Sequence, residues 1–215
     1  MNEIKIGGII RDIIIFVFLA VCIFSVFVTV LSKKDADGAV DVFGYQMRIV
    51  TSDSMAECVH TDVSAYKIKD IPKRSMVLIE MMPQSPAEAD AFYRSLQVGD
   101  VLTFRYVYTT QITITHRIVS ITEKDTGGFI IELAGDNKNS KDTQLTQVID
   151  TSIPNNTNYV LGKVLGHSYL LGVLMSFVQQ PVGVLLCIII PCFIIILLEV
   201  IKIVRVLEED KRNAW

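Results

Sequence analysis

The sequence has no surplus of basic residues. Lysine and arginine together number 20, whereas aspartate and glutamate number 23, which gives a net charge of −3. Proteins that bind nucleic acid usually need a basic surplus to neutralise phosphates, so we expect no nucleic-acid partner. Charged residues are also few: they make up 20% of the chain, while 51% of residues are hydrophobic. This composition excludes an intrinsically disordered chain, which would be polar and highly charged.

Cysteine is scarce and poorly placed for disulfide bonds. Cys22, Cys187 and Cys192 lie inside apolar runs, and only Cys58 lies in a polar region. One lone thiol cannot form an internal bridge there, and no C-x-x-C pair suggests zinc. The sequence therefore predicts neither a disulfide framework nor a cysteine metal site.

What the chain has instead is two long apolar runs, the first of which covers Ile13–Leu31. Its nineteen residues carry no charge, and at about 1.5 Å per residue they nearly span a hydrocarbon core of about 30 Å. A cleaved signal peptide is the alternative, but its apolar stretch is usually only about 7–15 residues and precedes a small-x-small site. The length of the run, and the charged segment Ser32–Asp35 directly after it, favour an uncleaved anchor.

The second apolar run covers Val182–Leu198 and contains Pro191, which membrane helices tolerate better than soluble ones do. A buried core helix is the alternative. Lysine and arginine are absent from Val164 to Ile201, and four follow, which places the C-terminus in the cytoplasm. We therefore expect a multi-pass protein of the cell membrane, or of the endoplasmic-reticulum membrane in a eukaryote. The predicted parts are a cytoplasmic N-terminus (1–12), a span (13–31), an extracytoplasmic domain (32–180), a second span (181–201) and a cytoplasmic tail (202–215).

The polar middle segment has the pattern of a mainly β domain. Turn residues separate short apolar runs, and residues Ile112–Val119 alternate between two faces, as in a half-buried strand. One helix is predicted from Ser85 to about Leu96, because Ser85-Pro86-Ala87-Glu88 has the form of a capping box. The predicted strands are Gln46–Val50, Met76–Met81, Val101–Tyr108, Ile112–Ile121, Phe129–Ala134 and Tyr159–Val164.

Serine, histidine and aspartate follow or lie within three separate β elements of this segment. Ser54 follows the first strand, His116 lies in a strand, and Asp136 and Asp142 follow another. A serine nucleophile needs a base to take its proton, and the base needs a partner that fixes its tautomer. The ordinary alternatives are a loop serine, a core histidine and a turn at Gly135–Asn137.

Ser52-Asp53-Ser54-Met55 resembles the Ser-Gly-Ser-Met box of type I signal peptidases. Thr115–Val119 resembles the general-base box of the endoplasmic-reticulum-type branch, which uses histidine and includes the SipW-like enzymes. Boxes similar to those of this family occur in the family's order at Val98–Val101, Thr115–Val119, Gly135–Asp142 and Val160–Val164.

This resemblance implies a membrane-bound serine endopeptidase that removes signal peptides through an acyl-enzyme and needs no metal or cofactor. Its partners would be signal-peptide-bearing pre-proteins, membrane lipid and the secretion machinery. The roles it implies are Ser54 as nucleophile, His116 as general base, Asp142 as third triad member, Asp136 as a supporting acid, Ser52 as an oxyanion donor and Met55 at the substrate pocket.

The chain departs from the family pattern in three places. Asp53 replaces a glycine, Glu57 stands where the family often has proline, and an insert covers about residues 58–97. We interpret the insert as decoration of the β core, with a lid or partner surface as the alternative. Two other functions also stay open: a non-catalytic, membrane-anchored β module that binds secretory or pilus precursors, and a serine peptidase that cleaves other membrane-associated chains.

Overall fold

The structure is a computed structural model that describes residues 15–16, 18, 33–34, 40–57, 62–106, 112–137, 146–153 and 158–213, with the backbone alone at 33–34, 40, 158, 210–211 and 213. The chain divides into two units. One unit is residues 32–173, and the other combines residues 1–31 with 174–215. The first unit is built on an antiparallel sheet, which confirms the mainly β class.

The sheet has nine strands within the described residues, and every neighbouring pair is antiparallel. Their spatial order is β1-β2-β3-β4-β9-β5-β6-β7-β8. All six strands that the sequence predicts are present. The strands are β1 (Lys33–Lys34), β2 (Val40–Val42), β3 (Tyr45–Ile49), β4 (Met76–Met81), β5 (Val101–Tyr106), β6 (Ile112–Glu123), β7 (Phe129–Ala134), β8 (Gln147–Asp150) and β9 (Asn158–Ser168).

Strand β9 joins the two parts of the sheet. It pairs with β4 on one side, where Glu80 lies opposite Lys163, and with β5 on the other, where Leu102 also lies opposite Lys163. The segment that carries Ser54 follows β3 in the first part, whereas His116 lies on β6 in the second. The last strand of the domain therefore connects the part that carries the candidate nucleophile with the part that carries the candidate base.

The core consists of two apolar clusters, and β5 contributes to both because it is buried along almost all of its length. Successive residues of a strand point to opposite faces of the sheet. Leu102 and Phe104 therefore pack in the first cluster, and Val101 packs in the second. The first cluster comprises Leu96, Leu102, Phe104, Ile118, Phe129, Ile131, Leu133, Ile149 and Val160. The second comprises Met55, Ile68, Ile71, Val77, Ile79, Val101 and Val164.

The described part of the insert, residues 62–97, belongs to this core, which corrects its interpretation as decoration. It supplies β4, which lies inside the sheet between β3 and β9. It also supplies Ile68 and Ile71, which are 8% and 0% exposed and pack in the second cluster. The sheet would lose an internal strand without this segment, so it is integral to the domain.

Helix α1 (Pro86–Ser95) lies where the sequence predicts it, with Ser85 as the N-cap residue. The predicted capping box is not formed, because the Ser85 side chain makes no cap hydrogen bond. The first hydrogen bond of the helix runs from Ala89 N–H to the Ser85 carbonyl at 2.8 Å. Helix α2 (Tyr169–Val178) follows β9 directly.

A long apolar helical segment ends the described chain. It begins with α3 (Pro181–Val184), continues through a π-helical turn (Leu185–Ile189) and ends with α4 (Ile190–Asn213). Within the described residues it is the one helix long and apolar enough to cross a membrane, over 29 residues from Pro181 to Glu209. The apolar part of this helix is not buried. The predicted span over 13–31 falls almost wholly outside the described residues.

The π-helical turn ends at Ile189, two residues before Pro191. Proline has no backbone N–H and cannot make the usual bond to the carbonyl four residues earlier. The wider turn is closed by Ile190 N–H, which donates to the Leu185 carbonyl. A π turn of this kind lets a helix continue past a residue that would otherwise break it.

Candidate active site

The Ser54 loop leaves strand β3 and is held by main-chain hydrogen bonds. Ala56 N–H donates to the Asp53 carbonyl at 3.0 Å, which closes a tight turn around Ser54. Ile71 N–H donates to the Met55 carbonyl at 2.9 Å, which ties the loop to the segment that enters β4. Ser54 is only 4% exposed, so the turn presents its side chain inside the domain.

Asn137 supports the same loop from the end of β7. Its backbone N–H donates to the Ser54 carbonyl at 2.9 Å, and its side-chain Nδ2 donates to the Asp53 carbonyl at 3.1 Å. Asn137 is 6% exposed, so these bonds are shielded from water. The Gly135–Asn137 motif therefore acts on the serine loop through its asparagine, a role that sequence reasoning did not assign.

Ser52 lies beside the candidate nucleophile. Its Oγ is 3.1 Å from Ser54 Oγ, and either hydroxyl can donate. The two hydroxyls are within hydrogen-bonding distance and form a polar part of the site. A hydroxyl there is suitably placed to donate to an oxyanion that forms on a carbonyl attacked by Ser54.

His116 lies on β6 and is 1% exposed. Its Nδ1 is 2.7 Å from Oε1 of Gln147, the first residue of β8. The ring also packs edge-on against Phe104, with centroids 6.3 Å apart and planes inclined by 61°. These contacts fix the imidazole on the face of the sheet that carries the first cluster.

Ser54 and His116 line one cavity of about 900 Å³ in the β domain. Ligand pockets in proteins commonly have volumes of about 300–1,000 Å³. The wall mixes apolar side chains with hydroxyl groups. The lining residues are Arg48, Ile49, Val50, Thr51, Ser52, Ser54, Val77, Tyr106, Ile112, Thr113, Ile114, Thr115, His116, Thr146, Gln147 and Val148.

Asp136 forms a buried ion pair with Arg117. The two side chains are each 2% exposed, and Arg117 Nη2 donates to Asp136 Oδ2 at 2.7 Å. Arg117 Nε donates to Oδ1 and Oδ2 of the same carboxylate at 3.0 and 3.1 Å. Arg117 and His116 are adjacent in a strand and so point to opposite faces. The structure therefore joins Asp136 to Arg117, behind the face that carries His116.

Arg117 connects several of the sequence motifs. Its Nη1 donates to the Gly99 carbonyl at 2.7 Å, and its Nη2 donates to the Lys69 carbonyl at 3.3 Å. The guanidinium also lies over the Tyr66 ring, 4.9 Å from its centroid. Gly99 has a φ of +97°, and an added Cβ would lie 2.2 Å from Tyr66. This close packing requires glycine at position 99.

Met55, another predicted site residue, does not line the cavity. Met55 is 1% exposed and packs in the second cluster, so the structure places it in the core and not on the wall of the cavity. Asp142 lies outside the described residues. Asp53 and Glu57 are exposed, and Glu57 has a φ of +52°. The φ of proline is fixed near −65°. Proline therefore could not adopt the backbone conformation that this chain has at position 57.

Within the described part of the chain, no group of three or more histidine, cysteine, aspartate or glutamate side chains is arranged to hold a metal ion. No protein-family model matches the sequence, and no curated protein matches it. The chemistry of the site is therefore argued from its own residues: a buried serine hydroxyl, a neighbouring hydroxyl and a buried imidazole around one cavity.

Proposed function

We propose that this protein is a membrane-bound serine endopeptidase, in which Ser54 is the nucleophile and His116 the general base. The observation that carries this proposal is that Ser54 and His116 line one cavity although they lie 62 positions apart, in parts of the sheet that β9 connects. A buried serine in a tight turn and an imidazole held by its Nδ1 are the components that this chemistry needs.

The mechanism follows from the acid–base properties of these groups. Neutral His116 takes the proton of Ser54 as the hydroxyl attacks the scissile carbonyl, and later gives it to the leaving amine. Ser52 Oγ and the Ser54 backbone N–H stabilise the oxyanion, for which one donor is typically worth about 3–4 kcal/mol. Water then releases the acyl-enzyme.

We propose signal-peptide-bearing pre-proteins as the substrates. The apolar helix Pro181–Glu209 is suited to hold the protein at a membrane, where the apolar segment of a signal peptide also resides. The cavity wall carries Ile49, Val50 and Ile114 beside hydroxyl groups. Such a wall suits an extended peptide with small side chains near the cleavage site.

The decisive experiment incubates the full-length protein in detergent with a signal-peptide-bearing pre-protein and follows cleavage by mass spectrometry. We expect cleavage by the native protein, and loss of cleavage to a common background in Ser54→Ala, His116→Ala and the double variant. The losses should not add, because the two groups act on one proton in one step.

Ser95→Ala and His167→Ala are the matched controls, since both residues are exposed and neither lines the cavity. Both variants should cleave at the native rate. Full activity in Ser54→Ala would overturn the proposal. Binding of the pre-protein without cleavage would favour a non-catalytic module, and cleavage restricted to other membrane-associated chains would favour a peptidase of different specificity.

A further inference from the structure

We propose that Gln147 is the positioning residue that sets the tautomer and orientation of His116. This inference rests on the proposed function, because it concerns the base of the same site. The observation that carries it is the 2.7 Å contact between His116 Nδ1 and Gln147 Oε1.

The register of the sheet explains how the two side chains meet. Gln147 lies opposite Leu133 on β7, and Leu133 lies opposite Ile118 on β6. Directly opposed residues share a face of the sheet, as do residues two apart in one strand. Gln147, Leu133, Ile118 and His116 therefore share one face, and the glutamine side chain reaches across β7 to the imidazole.

The chemistry of the contact selects one tautomer. A carbonyl oxygen can only accept a hydrogen bond, so Nδ1 must carry the proton that it donates to Oε1. In a neutral imidazole, Nε2 is then the unprotonated nitrogen, and its lone pair is what a general base requires. Gln147 thus acts on Nδ1 as the carboxylate does in an aspartate-containing triad, but without a negative charge.

The surroundings of His116 are mostly uncharged among the described residues. Leu102 and Phe104 face the ring from β5, and Leu133 and Ile149 lie on the same face on β7 and β8. The titratable or charged side chains that share its cavity are Arg48 and Tyr106. A change of charge at position 147 should therefore act on His116 strongly.

The first test reads the tautomer by nitrogen-15 NMR of the imidazoles in full-length protein labelled at histidine. The chain has three histidines, and His60→Gln and His167→Gln variants assign the signals. We expect His116 to be protonated at Nδ1 in the native protein and to lose this preference in Gln147→Leu. Gln97→Leu, at an exposed position away from the cavity, is the matched control.

The second test measures cleavage against pH. Gln147→Leu should lower kcat by at least about tenfold with little change in KM; in one triad protease a wrong tautomer lowers kcat by about 10⁴. In Gln147→Glu the carboxylate favours the imidazolium, so the acid limb of kcat/KM should move to higher pH by about 1 unit or more. A structural role alone would not move this limb.

The outcomes separate the two proposals. An Nε2–H tautomer in the native protein, or an unchanged Nδ1–H signal in Gln147→Leu, would overturn the role of Gln147. Native cleavage activity and pH dependence in both variants would also overturn it. The expected tautomer shift in a protein that cleaves no precursor would support Gln147 as the group that sets the tautomer, and would overturn the proposed peptidase.

Discussion

The backbone N–H of Asn137 donates to the carbonyl oxygen of Ser54 at 2.9 Å. This bond connects the end of β7 to the loop after β3, two segments that are far apart in the order of strands. The position of the serine therefore depends on a residue that follows it by 83 positions.

Asn137→Ala should weaken the Ser54 loop while it leaves the backbone bond in place. It removes the bond from Nδ2 to the Asp53 carbonyl, so we expect a loss of about 0.5–1.5 kcal/mol in the free energy of unfolding. Cleavage should fall because Ser54 is less well held. Urea unfolding and an activity assay measure the two effects, with exposed Gln84→Ala as the control. Native stability and activity in Asn137→Ala would contradict this role.

Asp136→Asn should destabilise the fold severely. The change leaves the guanidinium of Arg117 buried without its counter-ion, and breaking a buried pair in this way typically costs about 3–5 kcal/mol. Thermal unfolding measures the loss. The control is Asp90→Asn, which breaks the exposed pair with Arg94 and should cost no more than about 1 kcal/mol. Equal effects of the two substitutions would show that the buried pair contributes little.

Glu57→Gly should stabilise the protein, whereas Glu57→Pro should unfold it. Glu57 adopts a φ of +52°, a conformation that costs about 1–2 kcal/mol for a residue with a Cβ and almost nothing for glycine. Because glycine also gains entropy when unfolded, the net gain should be below about 1 kcal/mol. The midpoint of urea unfolding reports both changes. A stable Glu57→Pro protein would contradict the left-handed geometry.

Stability should fall in acid partly through Asp150. Hydrogen bonds from the Ser152 side chain, from Lys124 and from the Ser152 backbone lower the pKa of Asp150 to about 2 from a usual 3.8. A lowered pKa stabilises the folded state above the usual value, and this contribution is lost as the pH falls from about 4 to about 2. Asp150→Asn should remove this part of the pH dependence, as unfolding curves at pH 5 and pH 2.5 would measure. An unchanged pH profile would rule out the contribution.

The proposed topology has a direct test in cells. After replacement of the native cysteines, a membrane-impermeant thiol reagent should label a cysteine introduced at Thr126 from outside. It should label a cysteine at Asn213 only after the membrane is opened, because lysine and arginine are absent from Val164 to Ile201 and four follow. Labelling of Asn213 in intact cells would overturn this orientation.

The sequence predicted the strands best where an apolar pattern was long and bounded by turns. Met76–Met81 and Phe129–Ala134 have the predicted limits. The strand predicted at Ile112–Ile121 was expected to be half-buried, but His116, Arg117 and Ile118 are all buried, because the first cluster covers one face and Asp136 and Tyr66 cover Arg117 on the other. Periodicity reports one covered face and cannot detect a second.

The site was predicted less completely because its contacts depend on register. Gln147 begins a strand of four residues, which is too short for an alternating pattern, so its contact with His116 over 31 positions left no signal in the sequence. Asn137 was part of a recognised motif, yet its bonds to the Ser54 loop follow from packing. Asp136 was predicted to support the site. The sequence did not indicate its partner, Arg117, whose side chain lies on the face of β6 opposite to that of His116.

The place of β9 between β4 and β5 has a consequence for the order of folding. The strand pairing that joins the two parts of the sheet runs through β9, so it needs residues 158–168, and pairings between strands so distant in sequence form slowly. We therefore expect the strands that carry Ser54 and His116 to lack their sheet connection in a nascent chain that ends before β9. A chain truncated at residue 153 should contain every described residue of the cavity wall and still fail to assemble it.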